Sequence, residues 1–291
     1  MELRNAQGLT EKEFLETYKP GDYERPSVTA DILLFTIENK EKINERTNDE
    51  KDLKVLLIKR NNHPYMNKWA LPGGFVGMDE DIETSAYREL KEETNISENV
   101  YLEQLYTFSN PNRDPRMRVI STAYMALTPA TNVKKTLAGD DACDANWFTI
   151  RKTKVNENDI NRIDVLEIIN KDLNIHMKYD VTYSFANKKT IINKRNDTNG
   201  ELAFDHIDIV NMGLTRLRNK VNYTSVAFNL LPELFTLTDL QQVYEILLGE
   251  TLVKPNFRKK IQNMVIKTEF MKETVGYHRP YLYKKNPKYI E

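Results

Sequence analysis

The amino-acid sequence predicts an α+β or sandwich chain of two domains, and three observations carry that reading. A length of 291 residues suits two cores at roughly 100 to 200 residues per domain. Short β-branched runs and helical patterns are mixed without the regular strand-helix alternation of a doubly wound sheet. The charge also changes character along the chain: the net charge is -1, yet residues 254–285 hold nine Lys or Arg against two acids, Glu269 and Glu273. Near-neutrality is therefore a cancellation, and a local basic patch can select partners where the total cannot.

Composition bounds the answer further. With 40% hydrophobic and 29% charged residues, the chain is neither disordered throughout nor low in complexity. The single Cys143 cannot close an intramolecular disulfide, and no neighbouring Cys or His gives zinc-type spacing, so a reducing compartment is expected. No apolar run approaches the roughly 18 residues of a membrane span. The amino terminus also lacks the charged-then-apolar order of a signal peptide. The expectation is a cytoplasmic protein without a membrane partner.

Taken in order, residues 27–37 and 53–60 are β-branched and aliphatic runs of strand length. Between them, the insert 38–52 is almost wholly charged or amide and reads as a solvated, mobile hairpin loop. A Pro-Gly-Gly turn is expected at Pro72 to Gly74. A helix then runs from about Asp81 to Thr94, with Ile82, Ala86 and Leu90 at spacing four on one face. Further strands are expected at 100–108 and 119–127, with Trp147-Phe148 ending another, followed by a helix near Asp159 to Lys171. Residues 187–201 look like a hairpin or loop, and 205–219 like a helix bearing Ile207, Val210, Leu214 and Leu217. The expected division is a first domain over 1–173, a connecting segment over 174–221 and a second domain over 222–291.

The chemistry concentrates in residues 73–96. Glu89, Glu92 and Glu93 stand at i, i+3 and i+4, so three carboxylates project from one side of a helix. They also lie toward its carboxyl end, where the macrodipole prefers cations. Something positive must offset them. Arg88 is placed to pair with Glu92 four residues on, and a hard divalent cation with oxygen ligands would offset the rest, Mg²⁺ in particular combining carboxylates with substrate phosphates. Gly73, Gly74 and Gly77 allow the backbone to approach that same ion or phosphate.

The run Gly74, Glu80, Arg88-Glu89-Leu90, Glu92-Glu93 and Asn95-Ile96 resembles the Nudix box, the signature of hydrolases that cleave nucleoside diphosphates linked to another group. One position departs, Asn95 standing where the family has Gly. Asn is the side chain that next most readily adopts the left-handed conformation after a helix, so the loop is expected to survive. The resemblance implies a Nudix α/β/α sandwich with a mixed sheet. It also implies that Glu89, Glu92, Glu93 and the Gly73 carbonyl hold Mg²⁺ or Mn²⁺, while Arg88 orients Glu89 by a charge-assisted bond. The metal would lower the pKa of a bound water and neutralise the diphosphate. Which acid serves as general base varies within the family and stays open.

Residues 106–127 resemble the corresponding segment of ADP-ribose pyrophosphatases, Pro111 included. Arg113, Arg116 and Arg118 supply forked donors suited to phosphates, and Arg60 ends a strand beside the expected site. With Gly74 these are the candidate substrate contacts, the alternative being surface arginines of a turn. Asp140 or Asp141 is a candidate additional acid, although a solvated turn is the favoured reading.

Residues 235–264 read as two helices. Thr238 is the candidate N-cap of the first, Leu240, Val243, Tyr244 and Leu247 form its stripe, and Gly249 ends it. Asn256, or the residues just before it, starts the second, which turns Phe257, Ile261 and Met264 inward. Its outward face carries Arg258, Lys259, Lys260 and Gln262, as a recognition helix would. Two strands around residues 276–279 would then form a wing with Arg279 at its tip. The arrangement resembles the winged helix-turn-helix domain of Nudix-related transcriptional regulators, which sense ADP-ribose or related ligands. The likeness covers about residues 14–285. It implies Asn256, Arg258, Lys259, Lys260, Gln262 and Arg279 as contacts to double-stranded DNA, and a homodimer. A packing or dimerisation subdomain with a solvated basic face is the bland alternative.

Two functions follow. The first is a metal-dependent hydrolase converting ADP-ribose or a similar nucleoside diphosphate derivative to AMP and ribose 5-phosphate. The second is an ADP-ribose-responsive DNA-binding regulator whose Nudix domain senses. Hydrolysis ranks first on sequence, since catalysis needs every acid of the box and sensing does not.

Overall fold

The run Ser27–Asn39 forms strand β1, and its residues 30–37 are buried without a break, the mark of a strand covered on both faces. The computed structural model describes residues 2–40, 50–96, 100–133, 145–273 and 279–289. A helix α1 (Glu11–Thr17) precedes β1, capped by Thr10 and Glu13. Strand β2 (Lys51–Lys59) returns antiparallel to β1, with Phe35 opposite Val55 and Asn39 opposite Lys51. The polar insert thus caps a hairpin, and its residues 41–49 lie outside the described ones.

Short strands β3 (Trp69–Ala70) and β4 (Gly73–Phe75) pair with β2 and β1. The turn expected at Pro72 to Gly74 is corrected here: Gly73 and Gly74 already belong to β4, opposite Asp31 and Ala30. Gly73, at φ +152°, permits this pairing, because a Cβ there would lie 2.3 Å from the Ala30 carbonyl oxygen. Helix α2 (Ile82–Thr94) follows. Strand β5 (Tyr101–Phe108) then pairs with β6 (Val119–Leu127), which runs parallel to β1. The sheet is mixed, as expected.

A single turn α3 (Ala130–Val133) leads to β7 (Ala145–Glu157). Trp147 and Phe148 lie at the start of this strand, not at the end of one. The helix expected near 159–171 is strand β8 (Asn161–Asn170). The burial period is two, with Asp164, Leu166, Ile168 and Asn170 inward, and the β-branched content of this run favours that outcome. Strands β9 (Ile175–Ser184) and β10 (Thr190–Lys194) extend the same sheet as a hairpin. The full order is β10-β9-β8-β7-β2-β1-β6-β5, with β3 and β4 off the path.

Alternation along β1 divides the core. Ile32 and Leu34 meet Leu90 of α2 and Ile96. Leu33 and Phe35 meet Ile209, Val210 and Leu217 of α4 (His206–Lys220) on the other face. Helix α4 lies close to the sheet, since a Cβ on Gly213 would fall 2.0 Å from Leu33 Cδ2.

The remaining chain is a winged helix. A short turn at Val226–Leu230 leads to α5 (Leu237–Leu248), whose N-cap is Thr236 in a capping box with Asp239. Thr238, the expected cap, is therefore corrected. Two residues earlier, Thr236 has extended backbone and accepts the Asp239 N–H, the geometry that a cap requires. Helix α6 (Lys254–Ile261) and the hairpin of β11 (Val265–Met271) with β12 (Tyr281–Lys285) complete the domain. Residues 274–278 of the wing lie outside the described ones.

Leu240, Val243, Tyr244, Leu247, Phe257 and Ile261 belong to the same apolar cluster as the α4 face of the sheet. Each buried large side chain stabilises by about 1.5–3 kcal/mol, so the second domain is packed on the first through a shared core. An ion pair between Lys51 of β2 and Asp239 of α5, at 3.2 Å, lies on the same junction. Among the described residues, no helix is long and apolar enough to cross a membrane.

Candidate functional site

Helix α2 carries the acidic box, and its ends are well defined. Asp81 accepts the Thr84 N–H at 2.7 Å to start it. Asn95 closes it in the left-handed region at φ 54° and donates its N–H to the Lys91 carbonyl. The departure from the Nudix pattern at Asn95 therefore keeps the helix end, for the reason expected from the sequence.

Glu89 is buried against Gly74 of β4. A Cβ on Gly74 would lie 2.2 Å from Glu89 Oε1, so any other residue would displace that carboxylate. Arg88 organises the cluster. It donates to Glu80 at 2.7 and 3.1 Å, to Glu89 at 2.8 Å and to Glu92 at 3.0 Å. A further N–H reaches the Phe75 carbonyl at 3.2 Å. The expected Arg88–Glu92 pair and the orienting bond to Glu89 are both present. Glu80 had no assigned role in the sequence, yet it binds Arg88 through both oxygens. That bond, with the Gly77 N–H, holds its carboxyl down at about 2.

The other acids behave differently. Burial pushes the Glu89 carboxyl up despite Arg88, and burial with repulsion from Glu89 and Glu92 pushes Glu93 up. Among the described residues, no three His, Cys, Asp or Glu side chains are gathered closely enough to hold a metal as placed; Arg88 occupies oxygens of Glu89 and Glu92. The donor chemistry nonetheless fits a hard divalent cation, because the carboxylates of buried Glu89 and half-buried Glu93 lack full compensation.

Behind β4 lies a network that the sequence did not reveal. Gly73 packs on Asp31, a buried carboxylate in β1. Asp31 accepts hydrogen bonds from Ser121 and, at 3.2 Å, from Arg113. Arg113 is buried and grips Asp205 at 2.7 and 3.0 Å. Burial opposes its charge, but Asp205 and Asp31 more than offset this and raise its pKa. Next to Asp205, His206 opens α4. Its Nδ1 accepts the Leu71 N–H at 2.9 Å, and its Nε2 lies 3.8 Å from Asp31. Burial pushes the His206 pKa down, so the ring is neutral beside Asp31 and no charged pair forms. An acid in the middle of an apolar strand and Phe204-Asp205-His206 ahead of a helix were the available signals.

The remaining expected contacts divide. The Arg60 guanidinium lies 4.9 Å from the Phe204 ring centroid, and that of Arg116 lies 5.6 Å from Phe75 and 6.0 Å from Phe204. Tyr65 meets Phe204 edge-on at 4.7 Å. Arg116 is itself held by both oxygens of the buried Asp114, at 2.8 and 3.0 Å, and burial, then the proximity of Arg116, lowers the Arg60 pKa. Since the Phe75 carbonyl also binds Arg88, this aromatic and cationic wall adjoins the acidic box. Arg118 is exposed and donates to the Ser109 carbonyl at 2.9 Å, and Pro111 sits in an exposed turn. Arg113 is committed to its two carboxylates. Asp140, Asp141 and Cys143 lie outside the described residues.

On the winged helix, Asn256, Arg258, Lys259, Lys260, Gln262 and Arg279 are all exposed. Phe257 and Ile261 anchor α6, with Met264 just beyond it, each at most 5% exposed. Among the described residues, none of the α6 cations has a carboxylate partner, so the outward face is a strip of uncompensated positive charge.

Comparison with known proteins agrees with this geometry. Residues 43–167 match the NUDIX domain family, and residues 227–284 match the NrtR DNA-binding winged helix domain. The chain is 30% identical over 273 residues to the ADPR responsive transcriptional repressor NtrR of Acinetobacter baylyi, covering 93% of this chain and 86% of that protein. It is 45% identical over 101 residues to an ADP-ribose pyrophosphatase of Methanocaldococcus jannaschii, covering 35% of this chain and 57% of the other. The crystal structure of Shewanella oneidensis NrtR with a 27mer DNA superposes with a TM-score of 0.62 at 28% identity, over 89% of this chain and 94% of that one. With a Nudix sheet, a winged helix sharing its core and a relative that matches nearly end to end, the chain belongs to the NrtR family of Nudix and winged-helix proteins.

Proposed function

We propose that the chain is a DNA-binding regulator that responds to ADP-ribose or a closely related nucleoside diphosphate. The observation that carries this reading is the unpaired basic face of α6 on a domain whose core is continuous with that of the Nudix sheet. Arg60 and Arg116 hold the diphosphate, and the Phe204 and Phe75 rings receive the apolar faces of base or ribose. A ligand shifts DNA binding only through unequal affinity for two states. Here the ligand wall and the α4 amino terminus meet at Phe204, Asp205 and Arg113, so differential contact at that point acts on the helix that runs to the winged domain. Two copies present α6 to successive major grooves of a two-fold related site. The test is retention of the DNA upstream of its own gene at low salt, with and without ADP-ribose. No retention in either condition rules the reading out.

A second reading, hydrolysis, is favoured by the fit of Glu89 against Gly74 and by the complete set of box acids. Glu89, Glu92, Glu93 and the Gly73 carbonyl would hold Mg²⁺ or Mn²⁺, which would supply an activated water and charge neutralisation at the diphosphate. Arg88 keeps Glu89 oriented, and Glu80 keeps Arg88 in place. AMP release from ADP-ribose with Mg²⁺, reduced by orders of magnitude in Glu92→Gln and Glu93→Gln, supports it. Absence of turnover with any nucleoside diphosphate derivative removes it and leaves the regulator intact.

A further inference from the structure

A cavity of about 1080 Å³ runs along α4. One part of its wall carries Tyr65, Phe204 and Arg113, described above. Another part, formed by β7, β8 and the carboxyl-terminal half of α4, brings together Lys152, Arg162 and Arg218 around one carboxylate, Asp164. Arg162 donates to Asp164 at 2.8 Å, and Lys152 lies 3.5 Å from its second oxygen. Lys152 also donates to Asn211 at 2.7 Å. Arg218 has no carboxylate partner among the described residues. It donates to the Lys152 carbonyl at 3.3 Å and to the Leu247 carbonyl, at the end of α5, at 3.1 Å.

Lys152, Arg162 and Arg218 surround Asp164, while the other nearby acids are Glu250, which acts on Arg218, and Asp208 farther along the cavity lining. Asp164 is nearly covered, with 7% of its side chain exposed, and Lys152 has 11%. Burial, then the neighbouring Arg162, pushes the Arg218 pKa down. Burial also lowers that of Lys152 against the pull of Asp164. In both cases burial is the largest cause, and an anion in the cavity would offset that cost. Donors are left over as well: the terminal nitrogens of Arg162 and one of Arg218 make no hydrogen bond among the described residues, and Tyr183 and Thr190 line the same cavity. Forked cationic donors match the oxygens of a phosphate group.

We propose that Lys152, Arg162 and Arg218 form a second anion site that takes a small phosphorylated ligand, an inorganic phosphate or a phosphomonoester. The site is separate from the acidic box. Because Arg218 also holds the Leu247 carbonyl, an occupant lies one hydrogen bond from the first helix of the winged domain.

The experiment is calorimetric titration of the full chain at fixed ionic strength with sodium phosphate and, separately, with AMP. The Arg162→Gln, Lys152→Gln and Arg116→Gln variants are titrated in parallel. Saturable phosphate binding that weakens at least ten-fold in Arg162→Gln and persists in Arg116→Gln supports the proposal. Arg162 is partly exposed, and Lys152→Gln gives an independent reading should one variant fold poorly. Tighter binding of AMP than of phosphate, with the same sensitivity to Arg162→Gln, assigns the site to a phosphomonoester; equal binding assigns it to free phosphate. Absence of saturable binding, binding unchanged in Arg162→Gln and Lys152→Gln, or loss confined to Arg116→Gln overturns it.

Discussion

Arg113 holds both oxygens of Asp205, at 2.7 and 3.0 Å, across 92 residues of sequence. The bond fastens the loop before β6 to the start of α4, and the same guanidinium reaches Asp31 of β1. Breaking a buried pair leaves an uncompensated charge, at a cost of about 3–5 kcal/mol. Asp205→Asn is expected to lower the urea midpoint accordingly and to blunt any ligand effect on DNA binding. A variant with normal stability would show that Asp31 alone satisfies Arg113.

Gly74 faces Glu89 so closely that a Cβ cannot be added without moving the carboxylate. Gly74→Ala should therefore abolish the thermal stabilisation that Mg²⁺ confers on the wild-type chain. At about 100 times its Kd a ligand adds about 2.7 kcal/mol. At roughly 2–4 °C per kcal/mol, that is a rise of roughly 5–11 °C in Tm. An equal Mg²⁺ shift in wild type and Gly74→Ala would place the cation elsewhere.

His206 supplies a pH dependence whose sign is determined by its burial. Its folded pKa lies below the ordinary 6.5, so the native state binds the proton less readily than the unfolded chain does. The resulting stability is present above the unfolded pKa and is lost as pH falls through the folded one. A Gln at this position can accept the Leu71 N–H without titrating. The stability difference between wild type and His206→Gln should thus shrink from pH 7 to pH 5 in parallel denaturation series. A difference independent of pH would contradict the neutral assignment.

The basic face of α6 predicts a division between charge and readout. Arg258→Ala and Lys259→Ala should weaken binding to all DNA sequences and lower the salt slope by about 1 each. Asn256→Ala and Gln262→Ala should change sequence preference and leave the slope unchanged. Fluorescence anisotropy over a salt series separates these outcomes.

What the sequence made legible follows from the range of the interactions. The box could be read because Glu89, Glu92, Glu93 and Arg88 lie within one helix, where spacing is geometry. The strands at 27–39, 51–59, 101–108 and 119–127 were readable from β-branched runs. Residues 161–170 were misread because a short apolar run lacks enough length to separate periods of two and 3.6. Thr236 and Thr238 are equally good cap types, and only backbone geometry chose between them. The Asp31, Arg113, Asp205 and His206 network was illegible because its members come from β1, a turn and α4. Arg113 reads from sequence as a phosphate contact, and nothing local in the sequence pairs it with Asp31 or Asp205.

The central claim is that occupancy of the Nudix site controls DNA binding. Its most direct test is the affinity of the full chain for the DNA upstream of its own gene, measured by anisotropy at fixed salt while ADP-ribose is titrated. The affinity is expected to change several-fold and to saturate with ADP-ribose, the change disappearing in Arg60→Gln. Tight DNA binding that ADP-ribose leaves untouched, despite calorimetric proof that the nucleotide is bound, would contradict it.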